Sequence, residues 1–169
     1  MQTNDPTFEY RIATPDDLEA RWARNIANNP GDDRWITWKD AHIQNIQQGV
    51  SKGFVVIHDN MPVGEGTLLF SPLCVAVNGR LELADGKCVA NINALRMDKP
   101  YRGKGHMSKL VKFMEHAAKE MGYSTLTIGV EPNETRNLAI YLHWGYDTFV
   151  MWDVEEDGEL VLYYSKKIC

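Results

Sequence analysis

Long apolar runs are missing from this chain. The longest are the length of a strand, so no segment suits a helix that crosses a bilayer. Cysteine is scarce: Cys74, Cys88 and Cys169 are the only three. They are odd in number and far apart, which fits reduced thiols rather than a disulfide framework or a zinc site. A basic surplus is missing too, because 18 Lys and Arg stand against 23 Asp and Glu for a formal net charge of −5. Proteins that bind nucleic acid usually carry a basic face, so no nucleic-acid partner is expected, whereas a cationic partner suits this balance. The opening, Met1 to Pro6, has no basic region followed by an apolar stretch and does not read as a signal peptide. The expectation is a cytoplasmic protein with no membrane segment. His58, His106, His116 and His143 share no ligand-like spacing, so no metal is assigned. Repeats, linkers and low-complexity runs are absent as well, and 169 residues are read as one domain, 1–169.

What is present is organised around Met97 to Ser108. An apolar run, Cys88 to Met97, precedes this stretch. Behind it, Met107, Leu110, Val111, Met114, Ala117, Ala118 and Met121 recur at the 3.6-residue period of an amphipathic helix. The order is strand, glycine-rich turn, helix. Backbone N–H groups at the start of a helix lack intrahelical acceptors and hold anions, phosphates above all. Arg102 and Lys104 add positive charge there.

The rest of the chain reads in order. Phe8 to Ile12 alternates as a first strand. Thr14-Pro15-Asp16-Asp17 signals a helix running to about Asn28, with Thr14 as cap. A second helix is expected over Asp33 to Gln48, and its Trp35 and Trp38, like Trp22 before them, read mainly as packing residues. Phe54 to His58 and Val63 to Phe70 read as strands around a turn. Val75 to Val77 and Leu81 to Leu83, beside Asn78-Gly79 and Asp85-Gly86, are expected as short hairpin strands, since these dipeptides are strong hairpin signals. Gly122 ends the central helix. Ser124 to Val130 should then lie parallel to the strand before that helix. Asn133 is expected to cap a short helix to His143. Tyr146 to Val154 and Glu159 to Lys167 read as the last two strands.

A glycine turn before a helix is weak evidence by itself. A dinucleotide fold would need an acidic residue about 20 positions on, and Glu131 lies too far along. Two motifs together are more specific. Arg102-Gly103-Lys104-Gly105-His106-Met107 resembles the Arg/Gln-x-x-Gly-x-Gly/Ala loop of the GNAT N-acetyltransferase superfamily. Glu134 to Tyr146, with Asn137, Tyr141 and Gly145-Tyr146, resembles that family's second motif. The order of elements from Phe8 to Lys167 is similar as well. The resemblance implies a mixed α/β fold: a mostly antiparallel sheet flanked by helices, with a central parallel strand pair that splays. Met107 departs from the pattern, since the family usually has Gly or Ala there.

The resemblance further implies acetyl-CoA as co-substrate and transfer of its acetyl group to a primary amine, with direct attack in a ternary complex. Backbone N–H groups of Arg102, Gly103, Lys104, Gly105, His106, Met107 and Ser108 would hold the pyrophosphate. The strand around Leu95, Arg96 and Met97 would pair with the pantetheine arm. Asn137 would contact the cofactor arm, and Tyr141 would stand near its sulfur as proton donor to the departing thiolate. The central strand carries no carboxylate, so Glu65 and Glu82 on neighbouring strands are the candidate bases. Both also read as ordinary solvated strand residues.

For the acceptor, Asp153, Glu155 and Glu156 fall in a carboxylate-rich turn that the resemblance sets beside the acceptor. Asp32 and Asp33 begin the helix on the other side. Carboxylates there would concentrate polycations, so an aminoglycoside antibiotic, or next a polyamine, is the expected acceptor. Acetylation of a protein N-terminus or lysine and a non-catalytic CoA sensor are the alternatives. Monomer and homodimer both remain open.

Overall fold

The computed structural model describes residues 7–169; the opening stretch read above for a signal peptide, Met1 to Pro6, lies outside them. Seven strands and four α-helices follow one another: β1 (Phe8–Ile12), α1 (Pro15–Ala27), α2 (Arg34–Gln47), β2 (Ser51–His58), β3 (Met61–Leu69), β4 (Val89–Met97), α3 (His106–Glu120), β5 (Thr125–Val130), α4 (Thr135–His143), β6 (Thr148–Val154) and β7 (Leu160–Lys167). The strands form one sheet in the order β1-β2-β3-β4-β5-β7-β6. β1 and β2 pair antiparallel, as do β5 with β7 and β6 with β7. β4 and β5 are parallel, from Val89 opposite Thr125 to Ile92 opposite Ile128, as a helical crossover demands. The chain divides into two compact units, the chain up to Thr67 with Ala94–Met114, and Leu68–Asn93 with Glu115–Cys169. Among the described residues, no helix is long and apolar enough to cross a membrane.

In the first unit, α1 begins on a complete capping box. The Thr14 hydroxyl accepts the Asp17 N–H at 3.1 Å, and the Asp17 carboxylate accepts the Thr14 N–H at 2.9 Å. Pro15 opens the helix, where its missing N–H costs nothing. β3 is buried from Pro62 to Leu69. Gly64 and Gly66 face Met97, Leu95 and Met114, and a Cβ on Gly66 would lie 2.8 Å from the Met114 sulfur and 2.9 Å from Leu95 Cδ2. Glycine is therefore what lets α3 and β4 close down on this face. Glu65, between the two glycines, points to the opposite face. The buried core here includes Trp22, Phe54, Val55, Val56, Leu110, Val111 and Met114. Ala94 in β4 has φ +56°, a left-handed value unusual for a residue with a Cβ, so extended geometry breaks at that point.

In the second unit the expected short hairpins are absent. Residues 71–88 form successive turns instead. The Val77 and Asn78 N–H groups both donate to the Cys74 carbonyl at 2.9 Å, and Leu83 donates to Arg80 at 3.0 Å. Three-residue strands offer too few ladder bonds to compete with these local ones, and Cys74, Val77 and Leu83 bury themselves as anchors. Asp85 works through its side chain, whose Oδ1 accepts the N–H groups of Lys87, Cys88 and Val89 at 2.8–2.9 Å. A second correction falls at α4. Its N-cap is Glu134, not Asn133, and no side chain caps it.

Candidate active site

The candidate residues fall into two groups, one in each unit. In the first unit, β4 ends at Met97 and a 3₁₀ turn, Lys99–Tyr101, leads into the glycine loop. Gly103 and Gly105 take φ +75° and +83°, and a Cβ on either would meet no atom within 4 Å. Their role is conformational, since a side chain strains a left-handed backbone. Arg102, Gly103, Lys104 and Gly105 are exposed, while Met107 and Ser108 are half-buried in the first turn of α3. An open glycine loop at the start of a 15-residue helix, with Lys104 beside it, is a donor set that fits a pyrophosphate.

One of the expected loop contacts needs correction. The Arg102 N–H already donates to the Lys99 carbonyl at 3.3 Å, and its Nε donates to the Met97 carbonyl at 2.8 Å. Arg102 thus straps the loop to the end of β4 and does not offer its N–H outward. His106 is buried, with its ring stacked on Phe8 at 4.0 Å between centroids and its Nδ1 2.7 Å from the Tyr10 hydroxyl.

Glu65 is not the solvated strand residue it resembled. It is buried at 7 % exposure. Arg21 Nε donates to Oε2, Asn25 Nδ2 donates to the same oxygen at 2.9 Å, and Arg96 Nη1 donates to Oε1 at 3.1 Å. Arg21 reaches on to Asp98 at 2.6 Å, and Arg24 holds the other oxygen of that carboxylate. Arg96 also lies over the rings of Trp35 and Trp22, at 4.8 and 5.9 Å, so these tryptophans stack a cation as well as pack. Nearby, burial lowers the His42 pKa, with the Glu65 charge opposing and the Arg96 charge adding to that shift. Arg21, Arg24, Asn25 and Asp98 escaped the sequence reading. A signal existed on α1, where Asp17, Arg21 and Asn25 recur every four residues as a buried polar stripe. Asp32 is engaged by Arg34 at 2.8 and 2.9 Å, and Asp33 is exposed.

In the second unit, Asn137 and Tyr141 lie one turn apart on α4, Asn137 exposed and Tyr141 half-buried against Trp144. Burial, with help from the Glu134 charge, pushes the Tyr141 phenol up to about 12. Glu82 is exposed on the turn segment and not on a strand. Arg80 pairs with Asp153 at 3.1 Å and with Glu155 at 3.0 Å, and the Tyr163 hydroxyl also donates to Glu155. Two of the three turn carboxylates expected to meet the acceptor are therefore engaged internally, whereas Glu156 is exposed. Glu131 carries a raised pKa, from partial burial and then from the charges of Glu134, Glu159 and Asp157. Among the described residues, no group of three or more His, Cys, Asp or Glu could hold a metal ion.

No curated protein matches the sequence. Solved structures do match in fold. An N-acetyltransferase from Staphylococcus aureus Mu50 is 20 % identical, with a TM-score of 0.67 over 96 % of this chain and 99 % of that one. A Salmonella typhimurium acetyl transferase that modifies the N-terminal serine of ribosomal protein L7/L12 is 17 % identical, with a TM-score of 0.69 over 96 % of both chains. The Escherichia coli GNAT family N-acetyltransferase YhbS, solved with CoA, is 15 % identical, with a TM-score of 0.65 over 96 % of this chain and 82 % of that one. Residues 11–146 match the acetyltransferase (GNAT) family model. With the glycine loop, the parallel β4–β5 pair and these matches together, the chain belongs to the GNAT family and is an acetyl-CoA-dependent N-acetyltransferase.

Proposed function

We propose that the acceptor is a primary amine of a small polycation, an aminoglycoside antibiotic in the favoured case and a polyamine next. One observation carries this reading. Glu134, Asp157 and Glu159 are exposed carboxylates, and their charges add to burial in raising the pKa of Glu131. Such a group of like charges attracts a multivalent cation. Glu156 adds an exposed charge in the same turn. This acidic group differs from the one first expected, since Asp153, Glu155 and Asp32 are paired with arginines.

In the same reading the α3 loop from Gly103 to Ser108 receives the pyrophosphate and Leu95 to Met97 receive the pantetheine arm. The amine nitrogen attacks the acetyl carbonyl, the C–N bond forms and the C–S bond breaks, the nitrogen losing its proton to water and the departing CoA thiolate taking one from water. A backbone N–H of β4 meets the charge on the carbonyl oxygen, and Asn137 contacts the cofactor arm. A phenol at about 12 is a weak acid toward a thiolate whose thiol titrates near about 8.5. Tyr141 therefore serves as a hydrogen-bond donor to the departing sulfur rather than as the source of its final proton. Three donors occupy the Glu65 carboxylate, which fits a structural tie better than a base.

The test is an acceptor screen with acetyl-CoA and mass spectrometry of the products. Kanamycin, spermidine, a neutral primary amine and a serine-first peptide represent the classes. Turnover of the polycations, with an amine KM that rises with salt, is expected, since the Debye length falls from about 10 Å at 0.1 M to about 3 Å at 1 M. Preferred turnover of the peptide would favour the N-terminal reading, and a salt-insensitive amine KM would refute the polycation.

A further inference from the structure

Asp98 stands at the junction of β4 and the glycine loop. Its backbone N–H donates to the Val63 carbonyl at 2.8 Å, and its own carbonyl accepts the Tyr101 N–H at 3.0 Å. Its carboxylate is gripped from α1 by Arg21 and Arg24. The Arg21 side chain is 5 % exposed and is shared with Glu65 and with the Pro62 carbonyl, 3.4 Å away. Glu65 in turn holds Arg96 on β4. The segment Arg96–Arg102 is thus fastened at three places: Arg96 through Glu65, Asp98 through two arginines, and Arg102 through the Met97 carbonyl. A loop that presents backbone N–H groups to an anion works only if those groups stay in place, because small displacements cost binding steeply.

We propose that Asp98 is a positioning residue for acetyl-CoA: the Arg21–Asp98–Arg24 clamp fixes where the glycine loop begins and thereby sets its affinity for the pyrophosphate. The inference rests on the loop assignment made under Proposed function. Three roles for Asp98 make different forecasts for Asp98→Asn. A carboxylate felt only through its field would, once removed, let an anion bind more tightly. A carboxylate that serves only the fold would lower the melting temperature and leave affinity alone. A positioning carboxylate, once neutralised, leaves Arg21, Arg24 and Arg96 facing Glu65 alone, displaces the loop and weakens binding.

The experiment is calorimetric titration of the full chain with acetyl-CoA, beside thermal melts. Asp98→Asn is expected to weaken binding by about 10- to 100-fold. Arg24→Gln, at a half-exposed side chain, gives a milder variant that folds more readily, and it should weaken binding less. The double variant should be no weaker than Asp98→Asn alone, the signature of one shared contact. Arg11→Gln breaks the pair between Arg11 on β1 and Asp17 in the first turn of α1, which makes no contact with Asp98, and should lower the melting temperature with an unchanged Kd. Gly105→Val tests the loop itself. Unchanged binding in Gly105→Val removes the loop assignment and this inference with it. Weakened binding in Gly105→Val with unchanged or tighter binding in Asp98→Asn overturns the positioning role alone. If Asp98→Asn fails to fold, an Arg24→Gln affinity equal to wild type overturns it instead.

Discussion

Glu65→Gln separates a proton-accepting carboxylate from a structural one. The substitution keeps the side-chain shape and removes one negative charge. In the folded protein that charge is met by Arg21, which is itself buried, and by Arg96. Without it, three guanidinium groups of the cluster are left with Asp98 as their one carboxylate. Breaking a buried ion pair from one side costs about 3–5 kcal/mol, because the remaining charge stays desolvated. For a chain of this size each 1 kcal/mol moves Tm by roughly 2–4 °C, so Glu65→Gln should lower Tm by about 6–20 °C. Thermal unfolding by circular dichroism and urea titration at pH 7 measure this directly. A base that carried only chemistry would behave like an ordinary site, within about 0.5 kcal/mol, and would show its loss in kcat. A Glu65→Gln variant that melts within about 2 °C of wild type and has lost turnover would refute the structural reading.

Three further outcomes follow from the same geometry. Tyr141→Phe should lower kcat by about 10- to 100-fold with acetyl-CoA affinity intact, the worth of one hydrogen bond to a charged group; and because the phenol titrates near 12, kcat should show no alkaline fall assignable to it up to pH ~10. Burial opposes ionisation of Asp17, but hydrogen bonds from Thr14 and Arg11 outweigh it and depress its pKa; its stabilisation is therefore full above the unfolded value near about 4 and is lost as pH falls through the lower folded value, so the urea midpoints of wild type and Asp17→Asn should differ at pH 7 and converge near pH ~2. Tyr146 is fully buried and its hydroxyl has no hydrogen-bond partner among the described residues, so Tyr146→Phe, which removes a polar group whose burial unsatisfied costs about 1–3 kcal/mol, should leave Tm unchanged or raise it; a clear fall in Tm would show that the hydroxyl is engaged.

The elements that a periodic pattern controls were legible in the sequence. α1 begins at the Thr14 cap, α3 follows its apolar stripe, and β4 runs through the apolar stretch before the loop, each within a residue or two of expectation. The glycine loop was legible because its φ values of +75° and +83° call for glycine at those positions. Residues 71–88 were not legible, because Asn78-Gly79 and Asp85-Gly86 serve helical and side-chain turns as readily as hairpins. What decides between them is the burial of Val77 and Leu83, which depends on the rest of the fold. The Glu65 cluster was hidden for a similar reason. Arg21 and Arg24 lie on α1, Glu65 on β3, Arg96 on β4 and Asp98 just beyond its end, and each alone looks like a surface charge.

That cluster also changes how the net charge should be read. Its three arginines and two carboxylates leave one positive charge in the protein interior or at its margin. The remainder of the chain is therefore one charge more acidic than the formal −5. Acetyl-CoA is itself a polyanion, so an acidic protein repels it at long range and must win it at short range, which in the proposed reading falls to Lys104 and the N–H groups at the start of α3. An amine polycation meets the opposite situation, drawn in from a distance by the exposed carboxylates around Glu131. Salt weakens long-range fields far more than contacts within a few ångströms. Added salt should then slow capture of the amine and leave acetyl-CoA capture unchanged or faster. Stopped-flow measurement of both association rates across ionic strength checks this, and a parallel fall in the two would show that acetyl-CoA, too, is drawn in by a long-range attraction instead of being won by short-range contacts at the loop.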